Sequence, residues 1–416
     1  MKSDLHQIMK RENIDALWIL GAATHNPAMT YFTGNVHVGF ADLILKRGKE
    51  PVIFCNSMER EEAASTGLET INAAKYEFLK VLEEMEGNQL KAGARIVQRM
   101  FEELGILKGR VAIYGKIDIG GILGKLNYLG ELMPEIEFVG EGDRSILLEA
   151  RATKDIQEID RIRDIGKITI AVVGKTAALL QNCQVREDEV LLNGDGKPLT
   201  IGAVKNKINL WLAEYGVENP LDCIFAMGKD AGVPHSAGTS TEEIKLGKTI
   251  IFDIYPQEAG GGYFFDFTRT WCLGYAPEEE TKLHRDVKYV YETIMDELVM
   301  DAIARTYQDR TCELFESRGY PTIRQDSQLL SGYVHSLGHG LGLDVHERPW
   351  FSTGKSQKDI LSSGSVVTIE PGLYYPEKGM GCRIEDTVWV RPDGKMEILA
   401  DYPYDLVLPM NNWKSR

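Results

Sequence analysis

The sequence predicts an α/β protein of two domains, residues 1–150 and 151–416, and the prediction rests on three features of its patterning. Helix-like and strand-like pieces alternate through the first of these segments. A long run of helical spacing begins at Lys154. Strand-rich stretches separate and follow the later helices, in a chain long enough for two domains of ordinary size.

Taken in order, "DLHQIMKRENI" has the spacing of an amphipathic helix. "ALWIL" and "RVAIYG" are short apolar runs of strand type. "DLILKRGKEPVIFCN" reads as a hairpin turning at Arg47-Gly48-Lys49. None of these carries evident chemistry. The pattern changes near "LLEARATKDIQEIDRIRDIGKITIAVVGKTAALL", where the boundary is set at about Arg151, and "KLHRDVKYVYETIMDELVMDAI" forms a second long helix candidate. No internal repeat or low-complexity segment is visible.

The composition, 43 % hydrophobic and 26 % charged, is that of a soluble globular protein. A net charge of −15, from 47 basic and 62 acidic residues, argues against nucleic acid or an anionic membrane as partner, since phosphate binding needs clustered Lys and Arg. The acidity reads first as a solvated surface, with a smaller share gathered around cations. The six cysteines are scattered and form no CxxC pair, as expected of free thiols in a reducing compartment. "MKSDLHQIMKRENIDALWIL" places charges where a signal peptide needs an apolar run, and "ITIAVVGKTAALL" is too short to span a membrane and contains Lys175. A cytoplasmic location is therefore expected.

The chemistry concentrates in three later stretches. In "KTIIFDIYPQEAGGGYFFDFTRTWCLG" two strand-like runs flank Gln257–Gly262, and Asp253 and Asp266 are equidistant from the break between Ala259 and Gly260. Folding there sets the two carboxylates opposite each other. "GSVVTIEPGLYYPEKGMGCRIEDTVWV" repeats the construction, with Glu370 and Glu385 flanking the turn signals Glu377–Gly381. An ionised carboxylate among apolar strands is unfavourable unless paired. Arg269 and Arg383 lie nearby, but too few cations accompany four acids, so metal ions are the economical solution. "HSLGHGLGLDVHE" supplies His335, His339 and His346 from a chain with eight histidines, and its glycines read as loop rather than helix. An imidazole joined to four carboxylates suits Mn²⁺, Fe²⁺, Co²⁺ or Zn²⁺ in an oxygen-rich site. Four negative charges balance two divalent cations, a centre of the kind that activates water for hydrolysis.

The ordered set Asp253, Asp266, His339, Glu370 and Glu385, in "FDFTRT", "HGLGLDVHE", "IEPGLY" and "RIEDTV", resembles the pita-bread metallopeptidases, which include methionine aminopeptidase, Xaa-Pro aminopeptidase and Xaa-Pro dipeptidase (prolidase). The resemblance covers the later part of the chain strongly. Residues 1–150, with "MTYFTGN", resemble more weakly the creatinase-like N-terminal domain of the proline-specific branch. The resemblance implies a creatinase-like α/β domain followed by a pita-bread catalytic domain, cleavage of an Xaa-Pro bond in a dipeptide or at the N-terminus of a short peptide, and a homodimer. It implies that Asp253 chelates one metal, that Asp266 and Glu385 bridge two, and that His339 and Glu370 hold the other, with Mn²⁺ first and Co²⁺, Zn²⁺ or Fe²⁺ as alternatives. A hydroxide between the metals would attack the scissile carbonyl, with Glu370 as proton shuttle. His346 and His335 would lie near the carbonyl and tetrahedral intermediate, His235 in "GVPHSAG" would be the upstream histidine, and Arg383 would lock the adjacent Glu385. Tyr374 matches the family's tyrosine after Glu-Pro-Gly-Leu.

The chain departs from the family pattern at Tyr255-Pro256, where a glycine two residues after the first Asp is usual; the departure bears on pocket shape. Two other readings compete. Creatinase-like hydrolysis of a small non-peptide amide goes without the acids, and non-catalytic binding modules of this fold lack several ligands, whereas here all five stand in order. Singly, each acid could be an inward group satisfied by arginine or backbone amides, Arg383 could form a surface ion pair of little worth, and His37 and His284 have no supporting context.

Overall fold

The computed structural model describes residues 4–142, 145–351 and 358–413. Two compact units share the chain, one formed by Met1–Arg151 together with Gly260–Gly262, the other by Ala152–Ala259 and Tyr263–Arg416.

The first unit is built on a six-stranded mixed sheet. Its spatial order is Glu69–Asn72, Val52–Cys55, Ala41–Lys46, Ala16–Gly21, Gly109–Gly115, Ile136–Val139. "ALWIL" is wholly apolar because both faces of its strand are covered. Leu17 and Ile19 join one core with Leu5, Met9 and Leu147; Ala16, Trp18 and Leu20 join the other with Val97, Met100 and Phe101. The predicted hairpin forms antiparallel between Ala41–Lys46 and Val52–Cys55. The amphipathic N-terminal stretch is helical over Leu5–Arg11.

In the second unit the spacing that begins at Lys154 becomes a helix, Ile156–Gln181. Asp155 caps it by accepting from the amides of Gln157 and Glu158, while the Glu158 carboxylate accepts from the Asp155 amide at 2.7 Å. This reciprocal arrangement satisfies donors that a helix start leaves unpaired. The second long helix spans Glu278–Glu297 and stops where Leu298 turns extended, short of the predicted stretch. The strands form a four-stranded sheet (Ile224–Met227, Thr249–Ile254, Phe267–Leu273, Val407–Leu408) and a five-stranded one (Glu347–Trp350, His339–Gly340, Val366–Ile369, Asp386–Val390, Met396–Ile398). The hairpin Gly372–Tyr375/Met380–Arg383 and two short two-stranded ladders, Gln184–Val185 with Leu191–Leu192 and Val217–Glu218 with Gln257–Glu258, accompany them. Val287, Val290 and Ile294 pack with Phe315, Ile369, Ile384 and Val388 in the core of this unit. All six cysteines are free and buried. Among the described residues no helix is long and apolar enough to cross a membrane.

Candidate metal centre

Two hairpins and one short strand position the candidate residues. In the first hairpin Thr249–Ile254 pairs antiparallel with Phe267–Leu273, so that Asp253 stands opposite Thr268. The register continues beyond the strands: the Phe265 amide donates to the Pro256 carbonyl at 3.1 Å, and Gln257 bridges Phe264. The reversal thus falls between Gly260 and Gly261, both at positive φ (84° and 95°), a conformation glycine adopts without strain. The sequence placed the break one residue earlier. Moving a turn by one residue moves every cross-strand partner by two, so Tyr255, not Asp253, stands opposite Asp266. The shift is even, and both acids keep the same face.

In the second hairpin the two glutamates face each other as expected, while the reversal lies at Pro376–Gly379 rather than across Glu377–Gly381. Ile369 pairs with Asp386 and Gly372 with Arg383 in one continuous register, which sets Glu370 opposite Glu385. There the ladder opens. The Glu370 amide donates to Leu337 O at 2.8 Å, and the Glu385 amide to Thr268 O at 3.1 Å. Each glutamate is therefore tied to a different neighbouring segment, one to the histidine stretch and one to the first hairpin.

The histidine stretch is not wholly loop, as its glycines suggested. His339–Gly340 is a two-residue strand between Glu347–Trp350 and Val366–Ile369. Here glycine permits close approach: a Cβ on Gly338 would lie 2.0 Å from Thr368 O, and one on Gly340 would lie 2.1 Å from Arg348 O.

Asp266, His339 and Glu385 converge. One ligand atom from each lies within 4.8 Å of the others, and all three residues are buried. His339 Nε2 is 3.7 Å from Asp266 Oδ2 and 3.5 Å from Glu370 Oε1. His339 Nδ1 lies 3.1 Å from the Gly340 carbonyl, which can only accept, so the proton sits on Nδ1 and the Nε2 lone pair faces the carboxylates. Burial first, then His346, pushes this imidazole down to about 3, which keeps it neutral. Burial likewise raises Asp266 and Glu370 well above the carboxylate range, with Glu385 the next cause for each. Glu385 is pushed up to about 8 by burial and then by Asp253. Asp253 Oδ1 and Asp266 Oδ1 are buried without a hydrogen-bond partner. Desolvated, mutually repelling oxygens beside a neutral imidazole fit divalent cations.

Asp253 is drawn to Arg383, whose Nη2 donates to its Oδ2 at 2.6 Å. Arg383 also donates to Tyr374 Oη (2.7 Å), Thr268 Oγ1 (3.3 Å) and Pro234 O (3.3 Å). It does not pair with Glu385, as the resemblance implied. Its long side chain reaches the facing strand, while Thr268 Oγ1 donates to Glu385 Oε2 at 2.7 Å and links the two. A guanidinium only donates, so Tyr374 spends its own proton on His335 Nε2, 2.8 Å away. His335 Nδ1 faces Ser336 O at 2.7 Å. Both ring nitrogens are engaged within the protein, and burial holds the ring neutral, at about 3. His335 thus braces Tyr374.

His346 is exposed, with its ring 4.3 Å from that of His339 at 80°. Burial of its inner face, then His235, lowers its affinity for a proton. His235, also exposed, acts electrostatically on both His335 and His346. His37 is exposed in the first unit, and His284 is buried in the Glu278–Glu297 helix.

Two supports were given no role from the sequence, Thr387 unnoticed and Arg269 noted only as a nearby cation. Thr387 Oγ1 donates to Asp266 O at 2.7 Å and accepts from its amide at 3.3 Å. Arg269 donates to Asp386 Oδ1 (2.9 Å) and Glu385 O (2.8 Å) between the rings of Phe267 and Tyr404. Arg269 was visible as a charged residue within the strand-like run that follows Asp266, whereas nothing local in the sequence ties Thr387 to Asp266.

The profile of metallopeptidase family M24 matches residues 160–392, more than half of the chain. An uncharacterized peptidase of Methanocaldococcus jannaschii is 27 % identical over 390 residues, covering 93 % of this chain and 88 % of its own. The Xaa-Pro dipeptidase of Pyrococcus furiosus is 27 % identical over 282 residues, 65 % of this chain and 76 % of its own. In structure the chain resembles a dipeptidase from Pyrococcus horikoshii, with a TM-score of 0.75 at 23 % identity, over 97 % of this chain and 98 % of that one; the likeness is one of fold.

Proposed function

Because this chain belongs to metallopeptidase family M24, we propose that it hydrolyses Xaa-Pro bonds, in dipeptides or at the N-terminus of short peptides, with Asp253, Asp266, His339, Glu370 and Glu385 holding two divalent cations. It is a metallopeptidase with the two-domain pita-bread architecture. The observation that carries the finer reading is the buried convergence of Asp266, His339 and Glu385, with Asp253 Oδ1 and Asp266 Oδ1 left without partners. Likeness to an Xaa-Pro dipeptidase supports the choice of substrate. Mn²⁺ is the first candidate, with Co²⁺, Zn²⁺ and Fe²⁺ as alternatives.

Divalent cations bound here would polarise the scissile carbonyl and acidify water near neutral pH. The protein's own groups do the rest. Glu370, whose carboxylate burial and Glu385 make more basic than an exposed one, takes a proton in its ionised form from the attacking water and returns it to the leaving nitrogen. That transfer matters for an Xaa-Pro bond, whose nitrogen carries no hydrogen and leaves as a secondary amine. Neutral His346 would donate to the carbonyl oxygen as charge develops on it, a role supported by its ring contact with His339. Arg383 fixes one oxygen of Asp253 and leaves the other open.

The test is elemental analysis of the purified chain with Gly-Pro and Ala-Pro cleavage assayed before and after chelation. Two cations per chain and chelator-sensitive cleavage are expected. Asp266→Ala should lose both metal and turnover. An Asp266→Ala protein with full metal content would refute the assignment, and a wild type without metal would favour a binding module.

A further inference from the structure

The first hairpin brings a third side chain to the face shared by Asp253 and Asp266. In its register Tyr255 stands opposite Asp266, as Asp253 stands opposite Thr268. The Asp266 backbone exchanges hydrogen bonds with Thr387 Oγ1 and none with Tyr255. Tyr255 and Asp266 therefore form a non-hydrogen-bonded cross-strand pair, the kind whose side chains lie closest, with Cβ atoms about 4.5–5.5 Å apart. Pro256 holds the residue before it in extended conformation. Strand alternation then turns Tyr255 to the same side as Asp253. The residue is half-buried, and Asp253 and Asp266 are the charges that act on its hydroxyl most strongly. A glycine at this position, usual in the family that the sequence resembles, would leave that side of the centre open; here a phenol ring fills it.

An Xaa-Pro substrate joins the attacked carbonyl directly to the Cα of its first residue. With the carbonyl carbon at the Asp266–His339–Glu385 cluster, that Cα and its side chain lie within a few bond lengths of it. Tyr255, cross-strand neighbour of Asp266, is the wall that this side chain meets. We propose that Tyr255 limits the size of the first residue the site accepts, so that glycine and alanine fit beside its ring and bulky side chains do not. The inference rests on the function proposed above and adds a specificity-determining residue to it.

The test compares kcat/KM for Gly-Pro, Ala-Pro, Leu-Pro and Phe-Pro, and for Ala-Pro extended beyond proline, in the full chain reconstituted with Mn²⁺. Tyr255→Gly and Tyr255→Ala should lower the preference for Ala-Pro over Phe-Pro by about tenfold or more, the scale on which pocket volume discriminates. Tyr255→Phe, which keeps the ring, should retain the wild-type ratio, and Tyr255→Trp should raise it. Elemental analysis of each variant separates a change of pocket from a loss of metal; should Tyr255→Gly lose its metal, the alanine, phenylalanine and tryptophan variants decide. Ratios in Tyr255→Ala and Tyr255→Trp equal to those of an active wild type overturn the inference and leave the function standing. So does an effect confined to residues beyond proline. A metal-loaded wild type that cleaves none of these peptides overturns the function and the inference together.

Discussion

His339 and His346 leave the same short stretch of chain and meet different surroundings. His339 is buried, its Nδ1 proton committed to Gly340 O and its lone pair turned to Asp266 and Glu370. His346 touches His339 ring to edge but opens to solvent, with Asp253 and Asp344 acting on it only through their charge. On the proposed function His339 would be a ligand and His346 a donor to whatever the centre binds. His346→Ala should therefore retain full metal content and lower kcat by ~10²-fold, the effect expected when one donor to a developing oxyanion is removed. Elemental analysis with steady-state kinetics on Ala-Pro checks this, and an unchanged kcat would remove His346 from the chemistry. Arg383 holds Asp253 and Tyr374 together, and Tyr374 in turn holds His335. That chain of donors aligns side chains from three segments before any substrate arrives.

At the scale of elements, the two hairpins show what period and turn signals can and cannot specify. Glu370 and Glu385 were legible as facing residues because the turn signals lie close to the observed reversal at Pro376–Gly379, which carries a single register through both strand pairs. Asp253 and Asp266 were legible as sharing a face, but not as partners. Three consecutive glycines allow the chain to reverse at neighbouring positions, and the structure reverses one residue later than equal spacing suggests. Arg383 was legible as a partner for a carboxylate, but which one depends on a strand distant in sequence. The His339–Gly340 strand was hidden because two residues are too few to show alternation. Its glycines nonetheless mark it, since Gly340 lies against the backbone of Arg348. Gly340→Ala would press a Cβ to 2.1 Å from Arg348 O and 2.8 Å from Pro349 N, and a backbone wall cannot yield as a flexible side chain does. The variant should lose stability on the order of 2–4 kcal/mol and bind metal more weakly, because His339 moves with the strand. Denaturant midpoints and metal titration read the two effects, and wild-type values in both would show that the close approach is not needed.

Across the whole molecule, the anionic centre makes stability depend jointly on pH and metal. In the metal-free protein Asp266, Glu370 and Glu385 all hold protons more tightly than in the unfolded chain, with burial as the first cause. An acid whose folded pKa is raised stabilises the fold fully below its unfolded value, and that contribution is lost as pH rises through the folded value. For Glu385 the window runs from the ordinary range near 4.5 to about 8. The buried histidines act oppositely, since His335 and His339 are held at about 3 and their effect appears only as pH falls below 6.5. Between about pH 7 and about pH 8 the acids alone of these groups still change. Chelated protein should lose roughly 1 kcal/mol from Glu385 over that interval, with Asp266 and Glu370 acting in the same direction. Metal-loaded protein should not, because cations offset the charges and bind more tightly as the ligands lose protons. The gap in Tm between the two forms should therefore widen as pH rises, and the comparison cancels the buried thiols common to both. Thermal melts at the two pH values, with Mn²⁺ and with chelator, measure it. A gap that stays constant or narrows would mean that these carboxylates do not face one another uncompensated when metal is removed.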